Sequence, residues 1–293
     1  MHEAQVPQTQ HRVTVVTVAY NSSGVLAAML DSLPAGTPCV IVDNASRDRA
    51  ALRAIADRPG VTLIENETNE GFGPACNRGA EGAQTEFLLF LNPDARLADD
   101  TLDQLTAAAD AHPDAVAFNP RFEDDAGHPA FKRSCHLLPR SQWMPKGTPP
   151  ADCVLPVLSG AAFLVRRAAF EAVGGFDPSI FLFFEDDDLS LRLRTLGSLR
   201  LARAALVTHT GGGGSAPDPR IEGFKAWHFG WSRIYASRKH GRTGAYAKTL
   251  VRAIPRALSP VTWFSAPKRA ERWGYLRGIT QAQLNRPNIG ARL

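Results

Sequence analysis

Between residues 13 and 112, short β-branched runs alternate with helix-patterned stretches, and this alternation limits the fold more than any other feature of the chain. VTVVTVAY, residues 13–20, is short, apolar and β-branched, the pattern of a strand buried on both faces. SSGVLAAMLDSL then carries Val25, Leu26, Met29, Leu30 and Leu33 at helical spacing, with Ser22 or Ser23 to cap its start and Pro34 beyond its end. The scheme repeats. CVIVDNAS is a strand running into a turn, DRAALRAIAD a helix and VTLIENE a strand. GFGPACNRGAEGA begins a helix, EFLLFLNPDA is a strand, and LADDTLDQLTAAADAH is a helix with Asp99 or Asp100 near its start. Strands alternating with helices predict an α/β fold with a mainly parallel sheet and right-handed crossovers. In such sheets ligands sit at the carboxyl ends of the strands. This chain places Tyr20 and Asn21, Asp43 and Asn44, and Asn92 and Asp94 there.

The second half is less regular. Residues 119–157 are irregular and proline-rich, as expected of a surface connection that rearranges the strand order. A strand, GAAFLVRR, follows, then GGFDPSIFLFFEDDDLSLRLRTLGS and the strand LRLARAALVTHT. The run GGGGS after it is expected to form a loop that moves over substrate. Helices are expected from about residue 217, and no internal repeat is present.

Hydrophobic residues make up 44% and charged residues 21%, enough for a sizeable core and against general disorder. The opening MHEAQVPQTQHR is polar and lacks the apolar stretch of a secretory signal. The longest apolar runs, such as FLLFL, fall far short of the ~20 residues a spanning helix needs. A cytoplasmic protein is the expectation. Cys39, Cys76, Cys135 and Cys153 form no CxxC pair, so reduced, mostly buried thiols are expected. Charge is unevenly spread. Residues 220–293 hold 15 Lys+Arg against Glu222 and Glu271, a net +13; the remaining 18 bases and 27 acids give −9. An acidic body with a basic tail points to a polyanionic partner for the tail.

Five stretches carry chemistry. NEGFGPACNRG, residues 69–79, lacks the third glycine of GxGxxG, because Cys76 stands there, and no GxxxxGK[ST] occurs. Its glycines would still let backbone approach a ligand while its amides donate without charge; a plain strand-to-helix turn is the alternative. In VDNAS, Asp43 could accept the imide N–H of uracil or thymine, or cap the following helix. In LNPDA, Asn92 and Asp94 offer oxygen ligands suited to Mg²⁺ or Mn²⁺, or form an ordinary turn. FFEDDDLSLRLR puts Glu185 to Asp188 at a helix entry, where the helix dipole favours their charge and mutual repulsion raises at least one pKa. A carboxylate able to take a proton near neutral pH would result; an exposed acidic helix start is the alternative. His209, at a strand end before the glycines, could complete an oxygen-rich metal site or be structural.

Taken in order, VTVAYNS, VDNAS, NEGFGPACNRG, LNPDA, SGAAFLVRR, GGFDPSIFLFFEDDDLSLRLR and HTGGGGS resemble family-2 glycosyltransferases of the GT-A fold, in the branch of bacterial rhamnosyltransferases. The resemblance covers about residues 12–215 and extends weakly into FGWSRIYASRKHG. It implies a flexible N-terminus (1–11), a GT-A catalytic domain (12–215) and a basic helical region (216–293). It also implies that Ala19, Tyr20 and Asn21 lie along the nucleotide, that Asp43 reads the base, and that Asn69, Gly73 and Asn77 line the nucleoside and diphosphate. Asp94 matches the second acid of the family's DxD motif, with Asn92 replacing the first. Asp186, beside Glu185, matches the catalytic base, Asp188 a following orienting acid, and His209 a metal-ligand histidine. The implied reaction is inverting transfer of a sugar, rhamnose in this branch, from a dTDP- or UDP-sugar, with Mn²⁺ or Mg²⁺, to a cell-surface glycan or lipid-linked acceptor.

The basic tail interleaves Trp227, Trp231, Trp263, Trp273 and Tyr275 with Arg and Lys, a composition suited to the anionic inner face of the plasma membrane. An ordinary basic helical subdomain is the alternative. Nucleic acid is not an expected partner, because no recognition motif appears and the charge lies in one appendage. A nucleotide-sugar-binding relative without catalysis is the other rival; the presence of Asp94, Asp186 and His209 argues against it.

Overall fold

The computed structural model describes residues 12–209, 211 and 218–284. The expected flexible N-terminus, the 215/216 boundary and all of the glycine run except Gly211 lie outside the described residues. The alternating half contains β1 (Val13–Ala19), α1 (Ser23–Asp31), β2 (Cys39–Asp43), α2 (Arg49–Ala56), β3 (Val61–Glu65), α3 (Phe72–Ala80) and β4 (Phe87–Leu91). The second half adds β5 (Ala95–Leu97), α4 (Thr101–Ala111), β6 (Ala115–Glu123), β7 (Pro129–Ala130), β8 (Cys153–Val154), β9 (Ala162–Arg166), α5 (Arg167–Ala172), α6 (Glu185–Leu193) and β10 (Ser198–His209). Four helices close the described chain: α7 (Pro219–Lys239), α8 (Ala245–Ala257), α9 (Pro260–Phe264) and α10 (Ala266–Gln283).

The strands form one mixed sheet in the order β3-β2-β1-β4-β9-β6-β10-β5, with β7 on β6 and β8 on β10. All seven residues of β1 are buried, and it pairs in parallel with β2 and β4. Side chains of β4 alternate between two cores: Phe87, Leu89 and Leu91 on one face, Leu88 and Phe90 on the other. Phe90 packs edge or tilted against Phe163, Phe170 and Phe176, with ring centres 5.1, 5.0 and 5.2 Å away.

Residues 119–157 are more ordered than their composition predicts. β6 runs through Pro120 to Glu123. A register shift in β10 between Ala202 and Leu206 falls opposite the proline, so its missing N–H costs the ladder little. β9 then enters antiparallel between β4 and β6, which is the expected rearrangement of strand order. The cysteines are free; Cys39, Cys76 and Cys135 are buried and Cys153 is half-buried. Among the described residues no helix is long and apolar enough to cross a membrane.

The C-terminal helices are held to the sheet region by a buried carboxylate. Asp188 of α6 is fully buried. Its Oδ1 lies 2.8 Å from both Lys239 Nζ and His240 Nε2. Its Oδ2 accepts from Arg192 Nε at 2.9 Å and pairs with Nη2 at 2.8 Å. Burial alone would push this carboxyl up, but the hydrogen bonds from His240 and Lys239 and the charge of Arg192 outweigh it and hold it at about 2. Nearby, the Ser232 hydroxyl donates to the Leu182 carbonyl at 2.9 Å and Tyr235 donates to Asp177 at 3.0 Å. α7 and α10 cross backbone to backbone. A Cβ on Gly230 would sit 2.5 Å from the Tyr275 carbonyl oxygen, and Gly274 and Gly278 leave the same lack of room against Gly223 and Trp227.

Removing one partner from such a buried cluster strands the opposing charges, which costs ~3–5 kcal/mol. Asp188→Asn should lower unfolding free energy at pH 7 by about that amount in denaturant titrations. The sign with pH follows from a folded pKa below the unfolded one. The Asp188 contribution is complete above the ordinary carboxylate value, 3.8, and is lost as pH falls towards about 2, so the wild-type advantage should shrink across that window.

Candidate active site

A cleft of about 520 Å³ lies beside the turn after β4, walled by Asn92, the Ser159–Ala161 loop, the start of α6, Lys132, His209 and Phe229. Strand pairing explains how residues far apart in sequence meet there. β5 pairs antiparallel with the end of β10, so His209 stands opposite Ala95 and beside Asp94. His209 Nε2 is 3.2 Å from Asp94 Oδ1 and 3.4 Å from Asn92 Nδ2. Among the described residues no three side chains of His, Cys, Asp or Glu form a metal-holding group; Asp94 and His209 come as a pair.

The acidic entry of α6 is aimed by strain. Phe183 and Phe184 are consecutive left-handed residues with φ of 64° and 69°, a conformation that costs roughly 1–2 kcal/mol per non-glycine residue. The Phe184 ring offsets this by packing with Cys135, Leu137 and Ile180. The chain then turns into α6 with Glu185, Asp186 and Asp187 lining the cleft. Asp186 Oδ2 accepts from Lys132 Nζ at 2.6 Å and from the Gly160 N–H at 2.9 Å, while Oδ1 accepts from the Asp187 N–H at 2.8 Å. Lys132 Nζ is also 2.6 Å from Asp187 Oδ1. Burial, then the neighbouring Asp186 charge, raises both Glu185 and Asp187 above the usual carboxylate range. Glu185 Oε2 is buried without a hydrogen-bond partner.

The loop that presents Gly160 is itself pinned. Buried Asn119 of β6 donates to the Ser159 and Ala162 carbonyls at 3.1 and 2.7 Å and accepts from the Ser159 N–H at 2.8 Å. The Ser190 hydroxyl accepts from the Leu158 N–H and donates to the Asp186 carbonyl. A Cβ at Gly160 would press on Asp186 Oδ2 at 3.1 Å, so this position keeps the carboxylate within reach of the backbone donor.

A second group of polar residues occupies the ends of β1 and β2. Ala19 is buried, and its carbonyl accepts from the Asn44 N–H at 2.8 Å. Tyr20 is exposed, and Asn21 is left-handed, accepting from the Arg47 N–H at 2.9 Å. Asn44 spends all of its amide: Oδ1 accepts from Asn66 and from the Glu70 N–H, and Nδ2 donates to Asn69 Oδ1 and the Gly71 carbonyl. Asp43 is fully buried. Its Oδ1 accepts from the Ser46 N–H at 2.9 Å, and its Oδ2, which takes no hydrogen bond, lies 3.4 Å from Arg49 Nε.

The structure therefore brings Asn92, Glu185, Asp186 and His209 to one cleft, with Asp94 against His209, and sets Ala19, Tyr20, Asn21, Asp43 and Asn69 at neighbouring strand ends outside the cleft wall. Three of the expected site residues make contacts within the protein. Asp188 points away from the cleft and is consumed by Arg192, Lys239 and His240; Asp187, one residue earlier, faces the cleft instead. Both ends of the Asn77 amide are taken by the Phe176 backbone, at 2.8 and 2.9 Å, so it fastens α3 to the segment before α6 rather than facing a ligand. Gly73 leaves room for protein, since a Cβ there would meet Phe176 Cβ at 3.0 Å. Gly71, at φ 94°, does the same for the Phe181 backbone, whose carbonyl accepts from the Phe72 N–H at 2.9 Å. Sequence reasoning missed Lys132, Gly160 and Asn119. Lys132 and Asn119 fell in the stretch 119–157 read as irregular, where no periodicity marks them, and Gly160 was read only as the start of the strand GAAFLVRR.

Known proteins match this arrangement. The family model described as Glycosyl transferase family 2 matches residues 14–174. The N-acetylglucosaminyl-diphospho-decaprenol L-rhamnosyltransferase of Mycobacterium tuberculosis is 30% identical over 239 residues, covering 70% of this chain and 78% of the relative. Among solved structures, residues 1–349 of TarS from S. aureus align with a TM-score of 0.54 at 14% identity, covering 94% of this chain and 92% of that one. The mannosyltransferase PcManGT from Pyrobaculum calidifontis, in complex with GDP-Man and Mn²⁺, aligns with a TM-score of 0.55 at 17% identity, covering 94% and 87%. The likenesses to solved structures carry the fold, and the family match and the rhamnosyltransferase relative carry the membership: this chain belongs to the family-2 glycosyltransferases and is an enzyme with the GT-A fold.

Proposed function

We propose that the chain transfers a sugar, with rhamnose favoured, from a dTDP- or UDP-sugar to a hydroxyl of a cell-surface glycan or lipid-linked acceptor, with inversion at the anomeric carbon. One observation carries the chemistry: the Asp186 carboxylate lines the same cleft as Asn92 and His209, oriented by three donors. A carboxylate has about four lone-pair sites. Lys132 and Gly160 occupy those of Oδ2 and Asp187 one of Oδ1, so Oδ1 keeps a site for an acceptor hydroxyl.

In this reading Oδ1 takes the hydroxyl proton as the acceptor oxygen attacks the anomeric carbon from the side opposite the nucleotide. The bond from that carbon to the diphosphate oxygen breaks, and its electron pair leaves with the nucleoside diphosphate. Lys132 holds the Asp186 and Asp187 carboxylates in place at the cleft by pairing with both. One carboxylate and one imidazole fit an ion that takes its remaining oxygens from a diphosphate. Asp94 and His209 would hold Mn²⁺ or Mg²⁺, which when bound neutralises charge on the leaving diphosphate. Rhamnose and a lipid-linked acceptor are supported by the name of the mycobacterial relative, and a pyrimidine nucleotide by the carboxylate of Asp43 once Arg49 swings aside.

A thermal-shift panel of dTDP-rhamnose, UDP-GlcNAc and GDP-mannose, with and without Mn²⁺, tests the donor; stabilisation by GDP-mannose alone would overturn the pyrimidine assignment. Asp186→Asn should lose at least about a hundredfold in turnover while nucleotide affinity by calorimetry holds. Lys132→Met should lower kcat by roughly tenfold or more while nucleotide affinity holds, and Lys132→Arg should restore it. Asp94→Asn and His209→Ala should each raise the Mn²⁺ concentration needed to tighten nucleotide binding.

A further inference from the structure

α8 has three distinct faces. Thr249, Ala253 and Ala257, four residues apart, are its buried residues, turned to the rest of the protein. Lys248, Arg252 and Arg256 form a second row with the same spacing, and all three are exposed. The third row, Val251, Ile254 and Leu258, is 71%, 41% and 59% exposed. An amphipathic helix of a globular protein turns its large apolar residues inward. Here Tyr246 and Leu250 pack inward with the small residues, yet a second set of large apolar residues, Val251, Ile254 and Leu258, faces out beside a row of cations. Phe264, at the end of the next helix, is 92% exposed, and no acid occurs between residues 245 and 264.

We propose that α8 seats the Val251–Ile254–Leu258 row in the surface of an anionic lipid bilayer, with Lys248, Arg252 and Arg256 against the headgroups. A helix with an apolar row flanked by bases lies in the interfacial plane, its apolar side at the headgroup–acyl boundary. Charge complementarity selects this occupant. Residues 220–293 carry a net +13 and the rest of the chain −9, so an anionic surface attracts the helices and repels the body, which orients the molecule. A second copy of the chain would bring two rows of three bases together around the same apolar stripe, which like-charge repulsion disfavours.

The full chain should float with vesicles of phosphatidylcholine containing phosphatidylglycerol and stay behind with phosphatidylcholine alone. The triple variants V251S/I254S/L258S and K248S/R252S/R256S should each weaken partitioning by at least about tenfold. All six side chains are exposed, and an unchanged melting temperature will show that the fold is intact. Equal flotation on both vesicle types, no flotation of wild type, or undiminished flotation of the serine variant would overturn the proposal. So would a lipid-free, concentration-dependent dimer that V251S/I254S/L258S abolishes, since the row would then be covered by a second copy. The proposal shares with the proposed function only a membrane-held acceptor, and flotation is read without turnover. Asp186→Asn should float like wild type, so failure of one reading leaves the other standing.

Discussion

Four successive acids at the start of one helix cannot share an environment, and much of this structure is the consequence. Side chains on α6 diverge by about 100° per residue, so Glu185, Asp186, Asp187 and Asp188 face different surroundings. Asp186 and Asp187 share the ammonium group of Lys132. Asp188 turns inward to Arg192, Lys239 and His240. Glu185 is left with its Oε2 buried and without a hydrogen-bond partner. Mutual repulsion among the four thus divides them between the cleft and the packing of the terminal helices. The left-handed pair Phe183–Phe184 sets the rotation that makes this division possible.

The alternating half of the fold was legible because its strands are short, β-branched and separated by periodic helices, and the boundaries of β1 through α4 follow that pattern closely. The strand ends were legible too, since polar residues there stand out after apolar runs. β5 was not, because three residues carry no period, yet its pairing with β10 is what brings Asp94 to His209. Lys132 was hidden for a related reason: irregular segments hold their residues by tertiary contacts, and those contacts leave no local spacing to read. Asp188 looked equivalent to its neighbours in sequence; only the helix phase separates it.

The glycine-rich stretch that leads into and runs through α3 is built on close approach to its own protein. Gly71 lies under the Phe181 backbone, Gly73 under Phe176 and Gly79 against Val16 and Val42. Of its asparagines, Asn69 accepts from Asn44 and Asn77 fastens the Phe176 backbone. The stretch clamps α3 onto β1 and β2 on one side and onto the segment leading to α6 on the other. It therefore joins the strand ends to the acidic cleft, and the spacing of those two regions depends on it.

Phe229 belongs to α7, yet it forms part of the cleft wall. Its ring meets Phe183 and Phe184, with centres 5.4 and 5.1 Å away. Grafting the terminal helices of one homologue onto the body of another would transplant part of the cleft wall along with them. A substitution that shifts α7 would accordingly reshape the cleft without touching the sheet.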